Sequence, residues 1–319
     1  MKKLKAAIIG LGQVGQMFDL DKLRTGVWTH FSAYQHLQDK FDLVAVCEPD
    51  ASKLKIALDR KPSLRGYSSV KEMLDKEELD VVSICTPPSM HTDQINACTG
   101  KIKAIICEKP LGLDVEKCKD SVNLCLKAKT LLCVNYYKRF DGCIPQVKKM
   151  LDGGRIGEIS SINACFSGPL DAVGSHAVNI IEHLAGEIQL IRADKIEDER
   201  YSVFFKFGRN GAAQMLTTGP REKLIFEIDI VGTLGRITIV DNCSSFILYM
   251  FKPSGRYSGY EELVKVDTPQ DPCLERFVPM FEEVSDCLHD GKCEMTLSGE
   301  SALKTQLLLH KIKGCDKNG

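Results

Sequence analysis

No stretch of the chain keeps apolar residues together for the roughly 20 positions that a membrane-spanning helix needs, and no dense run of Lys and Arg marks a face for polyanions. With a formal net charge of -1, neither nucleic acid nor a membrane surface is an expected partner. Cys-x-x-Cys is also missing, although the chain holds fourteen cysteines. Without that spacing a metal cluster or disulfide framework is not expected. Cys47, Cys85, Cys107 and Cys133 lie at or near the ends of apolar runs, where a free cysteine packs as a small hydrophobe. Internal repeats and low-complexity linkers are lacking too. The lysine-bearing start, Met1 to Gly12, has an apolar run that breaks at Gly10 with no small-residue cleavage site after it, so it reads as a strand and not a secretory signal. The expectation is a soluble, cytoplasmic protein.

What is present is ordinary globular composition, 44% hydrophobic and 27% charged, which excludes wholesale disorder. A length of 319 residues exceeds one usual domain, and the pattern changes near residue 140. Residues 1–139 alternate short apolar runs (Leu4 to Ile9, Leu43 to Cys47, Val81 to Cys85, Ala104 to Cys107, Leu131 to Asn135) with helical candidates (Ala51 to Arg60, Val70 to Lys76, Met90 to Cys98, Val115 to Lys127). Nearly continuous apolar runs are what strands covered on both faces need, so this half predicts βαβ units around a parallel sheet. Residues 140–319 predict an α+β domain with a largely antiparallel open sheet. Its helices are expected over Ile144 to Leu151, Gly174 to Ala185, Cys273 to His289 and Ser298 to Lys311, with strands at Glu158 to Phe166 and from Leu190 to Met250.

The first strand runs into Gly10-Leu11-Gly12-Gln13-Val14-Gly15 and then a helical stretch. A first glycine permits the tight turn, a second lets backbone approach a pyrophosphate, and a third allows close packing of helix on strand. The diphosphate would rest on unpaired amides at the positive helix end. An acidic residue should end the second strand to bind the adenine ribose, and Glu48 does, with Asp50 as an alternative. Gly15 to Glu48 is 33 residues against a usual figure of about 20. An insertion near Phe18 to Trp28 would restore the spacing. Because a carboxylate repels a 2′-phosphate, the expected cofactor is NAD, with NADP disfavoured.

Three further motifs converge: Thr86-Pro87-Pro88-Ser89-Met90-His91, Cys107-Glu108-Lys109-Pro110 and Gly174-Ser175-His176. With the glycine loop, and with His30-Phe31-Ser32-Ala33, Asn135, Arg139 and Gly153-Gly154-Arg155-Ile156-Gly157 in order, they make nearly the whole chain resemble the Gfo/Idh/MocA family of glucose-fructose oxidoreductase and inositol dehydrogenase type. The resemblance implies a Rossmann domain followed by a domain whose open sheet forms a homo-oligomer interface. It implies an NAD(P)-dependent dehydrogenase or reductase acting on a sugar-like polyol, cyclitol or nucleotide-linked sugar. An NAD-dependent glycosidase and a non-catalytic nicotinamide-binding regulator are the alternatives.

By the same resemblance Thr86 and Pro87 border the nicotinamide, and Glu108 and Lys109 stand at the cofactor. His91 is read two ways, as a cofactor-side residue of its motif and as a helix-start residue packing locally. Lys109, directly after the fifth strand, suits a cation that binds the substrate oxygen and stabilises developing charge. Pro110 biases it toward an extended conformation. His176 is the expected acid/base, since imidazole titrates near neutral pH; His183, seven residues on, reads as structural. Tyr136 to Phe140 either lines a sugar pocket, with Tyr136 and Arg139 binding substrate, or packs a domain junction. The family commonly has aspartate four residues before the histidine and three after. Here Ala172 and Asn179 occupy those places, with Asp171 one residue away as a substitute, so Asp171 and Asn179 join the substrate-binding candidates.

Overall fold

The structure, a computed structural model, describes residues 2–197, 200–291 and 295–315. Two compact units divide the chain: Met1–Tyr137 with Glu275–Gln306, and Lys138–Leu274 with Leu307–Gly319. The stretch from Glu275 to Gln306 belongs to the first unit, so the second unit is not continuous in sequence.

The first unit holds six parallel strands, β1 Leu4–Ile9, β2 Phe41–Cys47, β3 Arg65–Tyr67, β4 Val81–Ile84, β5 Ala104–Cys107 and β6 Leu131–Val134, in the order β3-β2-β1-β4-β5-β6. The order reverses beside β1, the switch point where such sheets place ligands at the strands' carboxyl ends. Helices α1 His30–His36, α2 Ala51–Arg60, α3 Val70–Lys76, α4 His91–Cys98 and α5 Val115–Ala128 connect the strands. Asp50 caps α2 through the Ser52 and Lys53 amides, and Asp114 caps α5 through those of Glu116 and Lys117. Such caps satisfy amides that the helix itself leaves orphaned.

The helix expected to start at the glycine loop is instead divided. One turn forms over residues 12–18, with Gln16 and Met17 N–H on Gly12 O and Phe18 N–H on Gln13 O. The chain then leaves, and α1 resumes the ladder with His30 N–H on Val14 O at 3.0 Å and Phe31 N–H on Gly15 O at 3.1 Å. Residues 18–29 are therefore the insertion that the spacing required; without these 12 residues His30 would stand fourth after Val14, and Gly15 and Glu48 would stand 21 apart. The excursion is fastened by a capping box between Thr29 and Ser32. Arg60 bonds Asp19 at 2.7 Å, and guanidinium groups lie over rings, Arg24 on Phe18 at 3.8 Å and Arg276 on Trp28 at 3.7 Å.

The second unit is an eight-stranded mixed sheet made of β7 Ile159–Ser167, β8 Ile188–Glu197, β9 Arg200–Phe207, β10 Gly211–Gly219, β11 Phe226–Gly232, β12 Gly235–Val240, β13 Ser245–Pro253 and β14 Glu261–Val266. All its pairings are antiparallel except β7 with β10, which is parallel. Burial alternates along β9 to β12, as one covered and one open face require. Helices α6 Ile144–Asp152 and α7 Ser175–Ala185 supply the covering residues, among them Ile144, Val147, Val178 and Ile181. In the first unit α8 Val278–Asp290 packs on α1, and α9 Gly299–Gly314 spans the last boundary between the units.

Cys47, Cys85, Cys107 and Cys133 are free and buried. Burial pushes their thiols up, so they are inert small hydrophobes. Cys287 departs from that pattern and is disulfide-bonded. No group of metal-ligating side chains, and no helix long and apolar enough to cross a membrane, occurs among the described residues.

Candidate functional site

The glycine loop leaves β1 with Gly10 at φ +89°, where a Cβ would stand 2.9 Å from the backbone of Cys85 and Thr86. A Cβ on Gly15 would meet Gly10 O at 2.3 Å, whereas one on Gly12 would meet nothing within 4 Å. The outer two glycines are thus demanded by the protein's own packing. The open front at Gly12 is room for something else. Among the described residues the amides of Gly12, Gln13, Val14 and Gly15 donate no hydrogen bond. Four unspent N–H groups on one turn form a cradle for anionic oxygens, so the residues present fit a dinucleotide diphosphate.

Glu48 is buried at the end of β2. Its Oε2 accepts the Leu11 amide at 2.8 Å and its Oε1 the Asp50 amide at 3.1 Å. A carboxylate has about four lone-pair positions, so it braces the glycine loop and keeps capacity for a diol. Asp50 spends its own carboxylate on capping α2.

Thr86 donates its hydroxyl to Gln94 Oε1 at 2.6 Å. His91 is fully buried, with Nδ1 2.8 Å from Pro110 O and Nε2 2.8 Å from Thr86 O. Both ring nitrogens are engaged by backbone, so His91 ties the Thr86-Pro87 loop to the Lys109-Pro110 turn from behind. Lys109 precedes a cis Pro110 directly after β5.

Behind Lys109 lies a network that the motifs only hinted at. Glu108 Oε1 accepts His30 Nε2 at 2.9 Å and Asn135 Nδ2 at 2.6 Å. His30 Nδ1 lies 2.9 Å from Ser83 Oγ, which is 2.9 Å from the Tyr34 hydroxyl. Burial alone pushes the Glu108 carboxyl up, but the hydrogen bonds from His30 and Asn135 and the Lys109 charge together hold it below its ordinary range. Among the described residues the buried Asn135 Oδ1 accepts no hydrogen bond. The usable signal was Ser83, a hydroxyl inside the apolar run Val81 to Ile84 of a doubly covered strand, which must find a partner.

In the second unit Leu170–Gly174 forms a π-helical turn that leads into α7 and places His176 in its first turn, 5% exposed. Arg139 donates Nε–H to Asn179 Oδ1 at 2.8 Å, and both residues are buried. Two substrate candidates are thereby joined, the amide standing where the family carries a carboxylate and orienting a guanidinium. Asp171 bonds the Lys313 ammonium and is partly exposed, so its charge is already matched by a partner other than the imidazole. Tyr136 is 1% exposed, and Tyr137 packs on Phe277 with ring centroids 5.5 Å or closer, at 5.4 Å. The tyrosines belong largely to packing.

His183 is pushed down to about 3, first by burial and then by the Arg139 and Lys148 charges. It is neutral in the folded state, while an unfolded imidazole takes a proton near pH 6.5. The unfolded state therefore binds more protons below that pH, and stability falls as pH drops from about 6.5 toward 3. A His183→Gln variant should show a flatter dependence of urea midpoint on pH across that window. Equal slopes in both proteins would remove His183 as the cause.

Residues 4–136 match the model of an oxidoreductase family with an NAD-binding Rossmann fold, GFO_IDH_MocA. Residues 4–136 therefore carry the NAD-binding Rossmann fold of that oxidoreductase family. The chain is similar to an uncharacterized oxidoreductase of Schizosaccharomyces pombe, 24% identical over 220 residues, which are 63% of this chain and 56% of that protein. It thus spans about half the length of that curated relative. It is also similar to the D-apiose dehydrogenase of Rhizobium rhizogenes, 24% identical across 100% of this chain and 97% of that one. Among solved structures, the WlbA dehydrogenase of Bordetella pertussis in complex with NADH and UDP-GlcNAcA shares the fold with a TM-score of 0.78, at 20% identity over 100% of this chain and 98% of that one. The first unit is accordingly a Gfo/Idh/MocA NAD-binding domain, with the glycine loop and Glu48 in the places described.

Proposed function

We propose that this protein is a Gfo/Idh/MocA-type NAD-dependent dehydrogenase or reductase acting on a sugar-like polyol, cyclitol or nucleotide-linked sugar. The observation that carries the reading is the turn of four unspent amides with its open front at Gly12, braced by Glu48. NAD supplies the hydride acceptor or donor. The Gly12 to Gly15 amides hold the diphosphate, Glu48 takes the adenine ribose diol, and Thr86 and Pro87 border the nicotinamide. Lys109 binds the reacting oxygen and balances charge as it develops there. His176 exchanges that oxygen's proton through its imidazole, and Arg139, oriented by Asn179, holds a further hydroxyl. Support for the substrate class comes from the apiose and UDP-sugar names of the relatives. The open face of the second sheet, with Phe204, Ile191 and Ile196 exposed, is the surface for a second copy of the chain. The compartment is the cytoplasm.

A panel of polyols and sugars with NAD, read at the absorbance of the reduced nicotinamide, tests the activity. Stoichiometric reduction with one class supports it. Product formation without net change in absorbance would identify a glycosidase instead. The absence of a carboxylate at Ala172 and the engagement of Asp171 by Lys313 favour a second reading, a nicotinamide-binding regulator. NAD binding with no turnover across the panel would select it.

Cofactor choice is tested separately. NAD should bind at least about tenfold more tightly than NADP in calorimetry, because the buried Glu48 carboxylate repels a 2′-phosphate. Loss of a charge-assisted hydrogen bond in Glu48→Ala should weaken NAD about tenfold. Equal affinities in the unaltered protein would show that another residue reads the 2′ position.

A further inference from the structure

Nothing in the functional reading above explains why an apolar core should contain a histidine, a serine and a tyrosine bonded in series. We propose that His30 is a positioning residue for the Lys109 site: its Nε2–H holds Glu108 Oε1 in place as an ionised acceptor and leaves Oε2 as the oxygen presented beside Lys109. The inference rests on the dehydrogenase reading for its consequence in turnover, but not for its geometry.

The protons in the series have only one arrangement that satisfies every partner of a neutral ring. A carboxylate accepts and cannot donate, so the His30 nitrogen 2.9 Å from Glu108 Oε1 carries the hydrogen. The opposite nitrogen of a neutral imidazole then accepts, and Ser83, 2.9 Å away, must donate to it. The Ser83 oxygen in turn receives the Tyr34 hydroxyl, also at 2.9 Å. Tyr34, Ser83 and His30 thus point one after another at Glu108. Each bond polarises the next in a site of low dielectric.

Water does not substitute for these donors. His30 and Ser83 are 0% exposed and Tyr34 2%. Two rings close on the imidazole edge-on, Phe277 just before α8 at 5.5 Å and Phe281 within it at 5.4 Å between centroids. On Glu108, Asn135 shares Oε1 with His30, so both internal donors converge on one oxygen. Among the described residues Oε2 takes no donor. Two donors converging on Oε1 restrict rotation of the carboxylate about its side chain.

The ionisable groups facing Glu108 are His30 from α1, Lys109 beside it, and three thiols: Cys85 after β4, Cys107 of β5 and Cys133 of β6. The thiols are pushed up by burial and stay neutral, so His30 and Lys109 are the groups that set the charge of Glu108. His30 itself faces Glu108 and, through Ser83, Tyr34, whose hydroxyl burial also keeps protonated. Phe277 and Phe281 carry no charge.

Carbon-13 NMR of the glutamate carboxyls in the protein without substrate reads Glu108 directly. In His30→Met, which fills the space but removes donor and acceptor, Glu108 should take its proton at least about one pH unit higher than in the unaltered protein. The acid limb of kcat should move upward with it, and kcat should fall about tenfold to a hundredfold through misplacement, while NAD affinity stays within threefold. His30→Gln, which can present an amide N–H to Glu108, should restore most of both. An unchanged Glu108 titration in His30→Met, or a His30→Gln as defective as His30→Met, overturns the proposal. Nitrogen-15 NMR of the unaltered protein gives a test that needs no substitution: the ring proton must be found on Nε2, and an imidazole protonated only on Nδ1 overturns the proposal. These measurements need no turnover. A shifted Glu108 titration with no turnover on any sugar-like substrate would sustain His30 and defeat the dehydrogenase reading; turnover with an unshifted titration would do the reverse.

Discussion

Lys109→Met is expected to lose on the order of a hundredfold to a thousandfold in turnover, the scale set by removing one preorganised donor from a developing negative charge. Methionine keeps the length and apolar stem of lysine and removes only the ammonium. NAD affinity should stay within a few-fold, because the amides proposed to hold the diphosphate, Gly12 to Gly15, and the Glu48 carboxylate that braces their loop are not built on Lys109. The residue follows β5 beside the buried Glu108 network, so its neighbours are left in place by the substitution. Steady-state kinetics with a responsive polyol and calorimetry with NAD check the two halves. Turnover near that of the unaltered protein would take Lys109 out of the chemistry, and a parallel collapse of NAD affinity would make it a cofactor ligand instead.

His176→Ala should slow the chemical step by about a hundred- to ten-thousandfold, the usual contribution of a positioned acid/base. The companion substitution is decided by the fold. Asp171 bonds Lys313 and both side chains are partly exposed, so Asp171→Asn should leave the pH profile of kcat where it was. It should cost only the stability of a surface ion pair, about 0 to 1 kcal/mol. A shifted profile in Asp171→Asn would mean that the carboxylate leaves Lys313 to support the imidazole during the reaction. An unchanged rate and profile in His176→Ala would remove it as the proton carrier.

Elements bounded by strong local signals were legible to the residue: β1, β5, α2 and α3 lie where the apolar runs, the Asp50 cap and the Ser69 cap put them. β3 escaped because Arg65-Gly66-Tyr67 contains no apolar run; it exists through pairing with β2. The helix expected from Cys273 begins at Val278, where Pro279 in the first turn was the overlooked signal. The positions of the glycine loop, Glu48 and Lys109 were readable because each stands within a few residues of a strand end. The network behind Lys109 was not, since His30 meets Ser83 and Glu108 across 53 and 78 residues of sequence, separations that no local pattern encodes. For the same reason Asp171 looked available until α9 brought Lys313 to it.

The divided helix has a consequence for what the chain tolerates. Since the His30 amide meets the Val14 carbonyl as the fourth residue of an unbroken helix would, the excursion enters and leaves at the same phase of the screw. Its length is therefore decoupled from rotation: one residue added inside a continuous helix would swing everything after it by about 100°, whereas one added within 18–28 is absorbed as slack. His30, Phe31 and Tyr34 keep their bearings on the core whatever the excursion contains. Novelty can accumulate at that point on the surface while the buried side of the same helix stays as it is.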